Sequence, residues 1–117
     1  MSAFSLGLSL PLASIGAAVL SPPTVAPVLT VSSAMGSFIA NLEWTPSNKT
    51  GSAGFGYNIE LNLNNGGWNN VGGVTGLSFN YEDVGATGFI YEFRVTPYND
   101  AGNGPVSNIE GVILPGE

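Results

Sequence analysis

Hydrophobic and polar residues alternate along much of this chain with a period of two, the spacing of a strand whose side chains point to opposite faces. Gly56 to Leu63 puts Tyr57, Ile59, Leu61 and Leu63 on one face and Asn58, Glu60 and Asn62 on the other. Ala40, Leu42 and Trp44 share a face within Phe38 to Trp44, as do Tyr91, Phe93 and Val95 within Tyr91 to Pro97. Further strands are expected at Val28 to Val31, at Trp68 to Val71, at Leu77 to Tyr81 and at Ser107 to Leu114. Asn64-Asn65-Gly66-Gly67 reads as a hairpin turn, because Asn-Gly accepts the positive φ angles of a type I′ turn. Glu82-Asp83-Val84-Gly85 reads as a corner. No stretch after Pro23 has a helical period, so seven short, regularly spaced strands predict an all-β antiparallel sandwich.

The chain divides near Ser21-Pro22-Pro23, where prolines favour extended backbone. Residues 1–22 form an extended apolar arm without an ionisable side chain, and residues 23–117 form the domain. Within the arm, Phe4, Leu6, Leu8, Leu10 and Leu12 take one face while Ser5, Gly7, Ser9 and Pro11 take the other. Each large side chain gains about 1.5–3 kcal/mol on burial, so an isolated strand of this kind seeks a groove or an edge. A secretory signal needs a basic start, and the first basic residue is Lys49. A membrane helix wants about 20 apolar residues, whereas residues 3–20 contain three serines, two glycines and Pro11. The arm is expected to dock on another protein, as an added strand or in an apolar groove. Folding back on its own sandwich, and an atypical export or lipid-inserting segment, are the alternatives.

Composition narrows the partners. The 117 residues carry a net charge of −6, with Lys49 and Arg94 as the two basic residues. Neutralising phosphate needs clustered Lys and Arg, so neither nucleic acid nor an anionic membrane surface is expected as a partner. There is no cysteine and no histidine, which removes disulfides, thiolate chemistry and the usual zinc sites. A low charged fraction of 9% beside 17 glycines suits turns and strands better than helices.

Several runs of residues resemble fibronectin type III domains. They are Ala26-Pro27-Val28-Leu29-Thr30-Val31, Leu42-Glu43-Trp44-Thr45-Pro46 and Gly56-Tyr57-Asn58-Ile59-Glu60. The fullest match is Tyr91-x-Phe93-Arg94-Val95 followed by Asn99-x-Ala101-Gly102-x-Gly104-Pro105-x-Ser107. The resemblance spans residues 23–114 and implies a seven-stranded fibronectin type III-like sandwich, a binding or spacer module in which catalysis is rare. It also implies a tyrosine corner at Tyr91, its hydroxyl bonded to backbone between Val84 and Gly88, and Trp44 at the core centre. Pro97 departs from the pattern by removing a donor late in its strand. No Arg-Gly-Asp triplet occurs, so integrin binding has no support.

Candidate chemistry is sparse. The acidic residues are Glu43, Glu60, Glu82, Asp83, Glu92, Asp100, Glu110 and Glu117. Acid–base catalysis needs two carboxylates converging on a pocket, whereas Glu43, Glu60 and Glu92 fall on outward positions of separate strands. Asp100 to Gly104 offers calcium one carboxylate where several are usual, and reads as a turn. Asn48-Lys49-Thr50 matches the glycosylation sequon by three residues only. Phe55 reads as packing, while Trp68 and Tyr98 are candidate surface contacts for a saccharide, with packing equally open. No enzyme, metal or cofactor is expected.

One such domain behind an anchoring arm, taken as a whole chain, resembles in architecture the accessory subunits of phage virions. The expected role is a non-enzymatic virion protein, as capsid decoration, fibre or tail-surface module. It would be present in multiple copies and fastened by its arm to capsid, portal, neck or tail proteins, with host-surface glycans as a further contact. The alternative is a secreted or cell-surface adhesion or carbohydrate-binding module with an atypical export signal.

Overall fold

The computed structural model of the protein describes residues 19–117. In these the period-two segments fold as strands: β1 (Leu29–Ser32), β2 (Ile39–Trp44), β3 (Gly56–Leu63), β4 (Trp68–Val74), β5 (Ser78–Glu82), β6 (Phe89–Asn99), β7 (Gly102–Asn103) and β8 (Glu110–Leu114). One antiparallel sheet has the order β1-β2-β5; the other runs β4-β3-β6-β7, with β8 also paired to β6. The expected sandwich is therefore present. The two-residue β7 brings the strand number to eight, and the last strand begins at Glu110 where Ser107 was expected.

The core follows the alternation. Tyr57, Ile59 and Leu61 of β3 lie beside Val95 and Phe93 of β6, with Tyr91 further along, all buried. Ala40, Leu42 and Trp44 of β2 face them from the other sheet. Trp44 and Tyr57 stack at 5.5 Å between ring centroids, while Tyr81 reaches Tyr91 at 6.0 Å and Phe93 at 5.7 Å. Tilted pairs of this kind add about 0.5–1.5 kcal/mol beyond area burial. Trp44, the last residue of β2, is buried in the core, although its buried Nε1 has no hydrogen-bond partner among the described residues.

The β3–β4 turn is type I′, but its central residues are Asn64 and Asn65, at φ 50° and 62°, closed by Gly66 N–H donating to Leu63 O at 2.9 Å. Asparagine tolerates this left-handed region better than other side chains, so the glycines need not occupy the centre.

Polar side chains and a few isolated main-chain bonds finish the approach of the C-terminal segment to β1 and β6. The Asn108 amide accepts from Leu29 N–H at 2.7 Å and donates to Leu29 O at 3.0 Å. Ser107 N–H donates to Val95 O, and Val95 N–H donates to Ser107 Oγ, both at 2.8 Å. These side-chain bonds, with Pro105 just upstream, explain the late start of β8. Further along, Gly36 N–H donates to Gly116 O and Gly116 N–H to Ser37 O. Pro97 is accommodated because its carbonyl accepts from Gly104 N–H at 2.7 Å while its missing donor faces away from β3. On the opposite side of the sandwich, the Phe79 ring of β5 lies against Gly72 of β4. A Cβ there would stand 2.7 Å from the ring.

Candidate functional site

Two regions can meet a partner: the pole where the arm joins the domain, and the outward face of the β4-β3-β6 sheet.

At the pole, Ser21 to Val28 is strapped to the β2–β3 loop and the β6–β7 turn. Asn99 closes the inward stripe of β6 and is only 5% exposed. Its amide donates to Ser21 O at 2.8 Å and to Ser52 Oγ at 3.1 Å, while its oxygen accepts from Ala101 N–H. Lys49 Nζ donates to Ser21 Oγ. Thr24 and Asn48 bond reciprocally, at 2.8 Å through Thr24 N–H and at 2.7 Å through Asn48 Nδ2. Ser47 Oγ donates to Val25 O, and Ser47 N–H to the Tyr57 hydroxyl at 3.0 Å. Gly104 lies so close to Pro23 that a Cβ would stand 2.6 Å from the proline carbonyl. Beyond the strap, Val19 is 91% exposed, and a shallow cavity of about 560 Å³ opens between Val19–Ser21 and Lys49–Ala53.

The strap uses residues that periodicity does not mark. The one sequence signal was Asn99, a polar residue in register with the inward Tyr91, Phe93, Val95 and Pro97. Asn48 of the sequon has both ends of its amide engaged by Thr24, so its first role is in the strap. The alternating Phe4, Leu6, Leu8, Leu10 and Leu12 lie outside the described residues.

On the sheet face, Trp68 and Tyr98 are both half-buried and both outward, but at opposite ends. Trp68 pairs with Asn62, whereas Tyr98 pairs with Gly56. Six residues of strand separate those positions, about 20 Å at 3.3 Å per residue. The Arg94 guanidinium covers the Trp68 ring at 4.2 Å, and Arg94 Nε donates to Glu60 Oε1 at 2.7 Å. The Tyr98 ring lies over Gly56, where a Cβ would stand 2.6 Å from its hydroxyl. Phe55 packs edge-on against Tyr57 at 5.1 Å, as expected for a packing aromatic.

The tyrosine corner differs from the resemblance in its acceptor. The Tyr91 hydroxyl donates to the Asp83 carboxylate, not to backbone between Val84 and Gly88. Asp83 also accepts from Gly85 N–H at 3.0 Å, which fixes the carboxylate over the phenol. Burial, then the Asp83 hydrogen bond and its charge, push the Tyr91 phenol well above its ordinary range. Burial and Asp83 raise Tyr81 too. Among the described residues no three acidic side chains gather in a metal-binding group.

No protein-family model matches the chain, and no curated protein sequence matches it. Solved structures do. The sixth fibronectin type III domain of human fibronectin type III domain containing protein 3 is 20% identical, with TM-score 0.66, covering 87% of this chain and 94% of that one. The twitchin kinase region from C. elegans is 24% identical, TM-score 0.67, over 82% of this chain and 17% of that one. The FN1–FN3 domains of chicken CNTN1 are 25% identical, TM-score 0.62, over 80% of this chain and 34% of that one. The chain thus spans about a third or less of the multidomain fragments it matches, and the likeness concerns one domain in each. This chain has the fibronectin type III fold.

Proposed function

We propose that this protein is a structural subunit of a virion, as capsid decoration, fibre or tail-surface module, with its arm as the anchor and the sandwich displayed outward. The observation that carries the reading is the strap. A charge-free arm whose sequence alternates five large residues with small ones leads into Ser21, and Ser21 is held by the buried Asn99 at the end of the central strand β6. A load on the arm therefore passes directly into the core, as an anchored display module requires. Asn99, Asn48 and Lys49 give that junction a fixed direction, which a loose linker would lack. Contact with host-surface glycans through Trp68 and Tyr98 is a lesser part of the proposal: the two lie about 20 Å apart, and Arg94 occupies one Trp68 face.

Counting copies tests the reading. Quantitative mass spectrometry of purified particles is expected to find this protein in a number matching a capsid or tail symmetry. Its absence from particles, with recovery in the medium or on the cell surface, would favour an adhesion module instead.

A further inference from the structure

The two sides of the sandwich are finished differently. Along β1 and β8 the seam is laced by Asn108 on Leu29 and by Gly116 with Gly36 and Ser37. On the other side β4 is the outer strand of its sheet. Its seven residues, Trp-Asn-Asn-Val-Gly-Gly-Val, include no proline, lysine or other charge. Soluble sheets ordinarily blunt an edge with those residues, because unpaired N–H and C=O groups template a further strand. One irregularity is present, where the β3 pairing shifts register between Ile59 and Glu60. Gly72 is explained by the Phe79 ring, but Gly73 is not. A Cβ there would sit 3.5 Å from Asn58 Oδ1 in ordinary contact, and no positive φ demands glycine. Glycine within a strand marks a bulge or a place where another backbone approaches closely; the bulge here falls at Val71, two residues before Gly73.

We propose that the β4 edge receives residues 4–12 from the arm of a second copy of this chain. The fit is chemical as well as geometric. The arm segment is charge-free, like the edge it would meet, and its sequence has the strand period. Its Phe4–Leu12 face would turn toward the half-buried Val71, Val74 and Phe79 and the exposed Leu77. Its Ser5, Gly7, Ser9 and Pro11 face would extend the neutral outer surface beside Asn70 and Gly73.

Direction selects the second copy. β4 runs toward the arm pole, since its last residue Val74 pairs with Tyr57, whose hydroxyl accepts from Ser47 N–H. A chain's own arm also runs toward that pole, so it would lie parallel to β4. An arm from another copy can lie antiparallel, the more stable pairing per residue. This inference rests on the arm-anchored reading and names the arm's docking surface as a neighbouring subunit.

Because the chain has no cysteine, full-length Ser9→Cys and Asn70→Cys proteins each carry one thiol. Mixed under mild oxidation, with one partner tagged, they are expected to form the mixed disulfide at least about tenfold faster than Ser9→Cys with Thr30→Cys, the ratio that ~1.4 kcal/mol of docking gives. Equal rates would overturn the proposal. So would an intrachain bond in a dilute double variant carrying both Ser9→Cys and Asn70→Cys, which would seat the arm on its own domain. If particle association needs the arm but this cross-link does not form, the self-docking inference fails alone and the anchoring reading stands.

Discussion

Replacing Ser107 by alanine removes one oxygen atom from the seam between β6 and β8. That oxygen accepts the Val95 N–H at 2.8 Å and donates to Asn108 O at 2.8 Å. Ser107 is 5% exposed and Val95 not at all, so neither water nor a relaxed neighbour replaces the lost acceptor readily. Orphaning a buried backbone donor costs about 1–3 kcal/mol, and the loss of one oxygen leaves little cavity. For a domain of this size each kcal/mol lowers Tm by about 4–8 °C. Urea unfolding followed by circular dichroism is the assay: the midpoint should fall while the m-value stays constant. Asn108→Ala, at an exposed position, should cost less than Ser107→Ala despite its two bonds to Leu29. A Ser107→Ala loss below about 0.5 kcal/mol, with m unchanged, would refute the reasoning, because the mean net hydrogen bond alone exceeds that.

Other predictions follow from the same geometry. The Tyr91 phenol is raised in the fold, so above about pH 10 the unfolded chain loses a proton the native state keeps, and stability falls with rising pH by up to about 1.4 kcal/mol per unit. Tyr91→Phe should flatten that alkaline limb, leaving the smaller contribution of Tyr81, as read by denaturation at stepped pH. Gly104→Ala should force Pro23 away from the β6–β7 turn and cost about 1–3 kcal/mol through overpacking, with faster amide exchange at Ala101 and Thr24 as its local mark. Arg94→Ala should change stability by about 1 kcal/mol, as an ion pair at the surface with side chains 29% and 28% exposed does. It should still make Trp68 more accessible to acrylamide, while the buried Trp44 remains protected.

Fold and site were unequally legible. Tyr57 to Leu63 and Tyr91 to Val95 announce inward faces because each residue's direction depends only on its neighbours in sequence. The turn after Leu63 was readable for the same reason, although the positive φ angles fell on Asn64 and Asn65. The closures were not readable. Leu29 and Asn108 are 79 residues apart, and the equally decisive ends of the strap, Ser21 and Asn99, are 78 apart. Asparagine and serine in such places look like turn residues until the strands bring them together. The Tyr91 hydroxyl illustrates the limit: the corner was legible from resemblance, but its acceptor, the Asp83 carboxylate, depends on the path of the β5–β6 connection. Trp68 and Tyr98 stand out in the sequence as aromatics, yet their separation and the Arg94 cover follow from register.

The anchoring role is tested most directly in the full-length chain by substituting Leu6, Leu8 and Leu10 with aspartate and measuring incorporation into particles against the wild type. Circular dichroism and an unchanged urea midpoint would confirm that the domain is intact. The account predicts that incorporation is lost in the arm variant and retained in Trp68→Ala. Wild-type incorporation of the aspartate variant would contradict it.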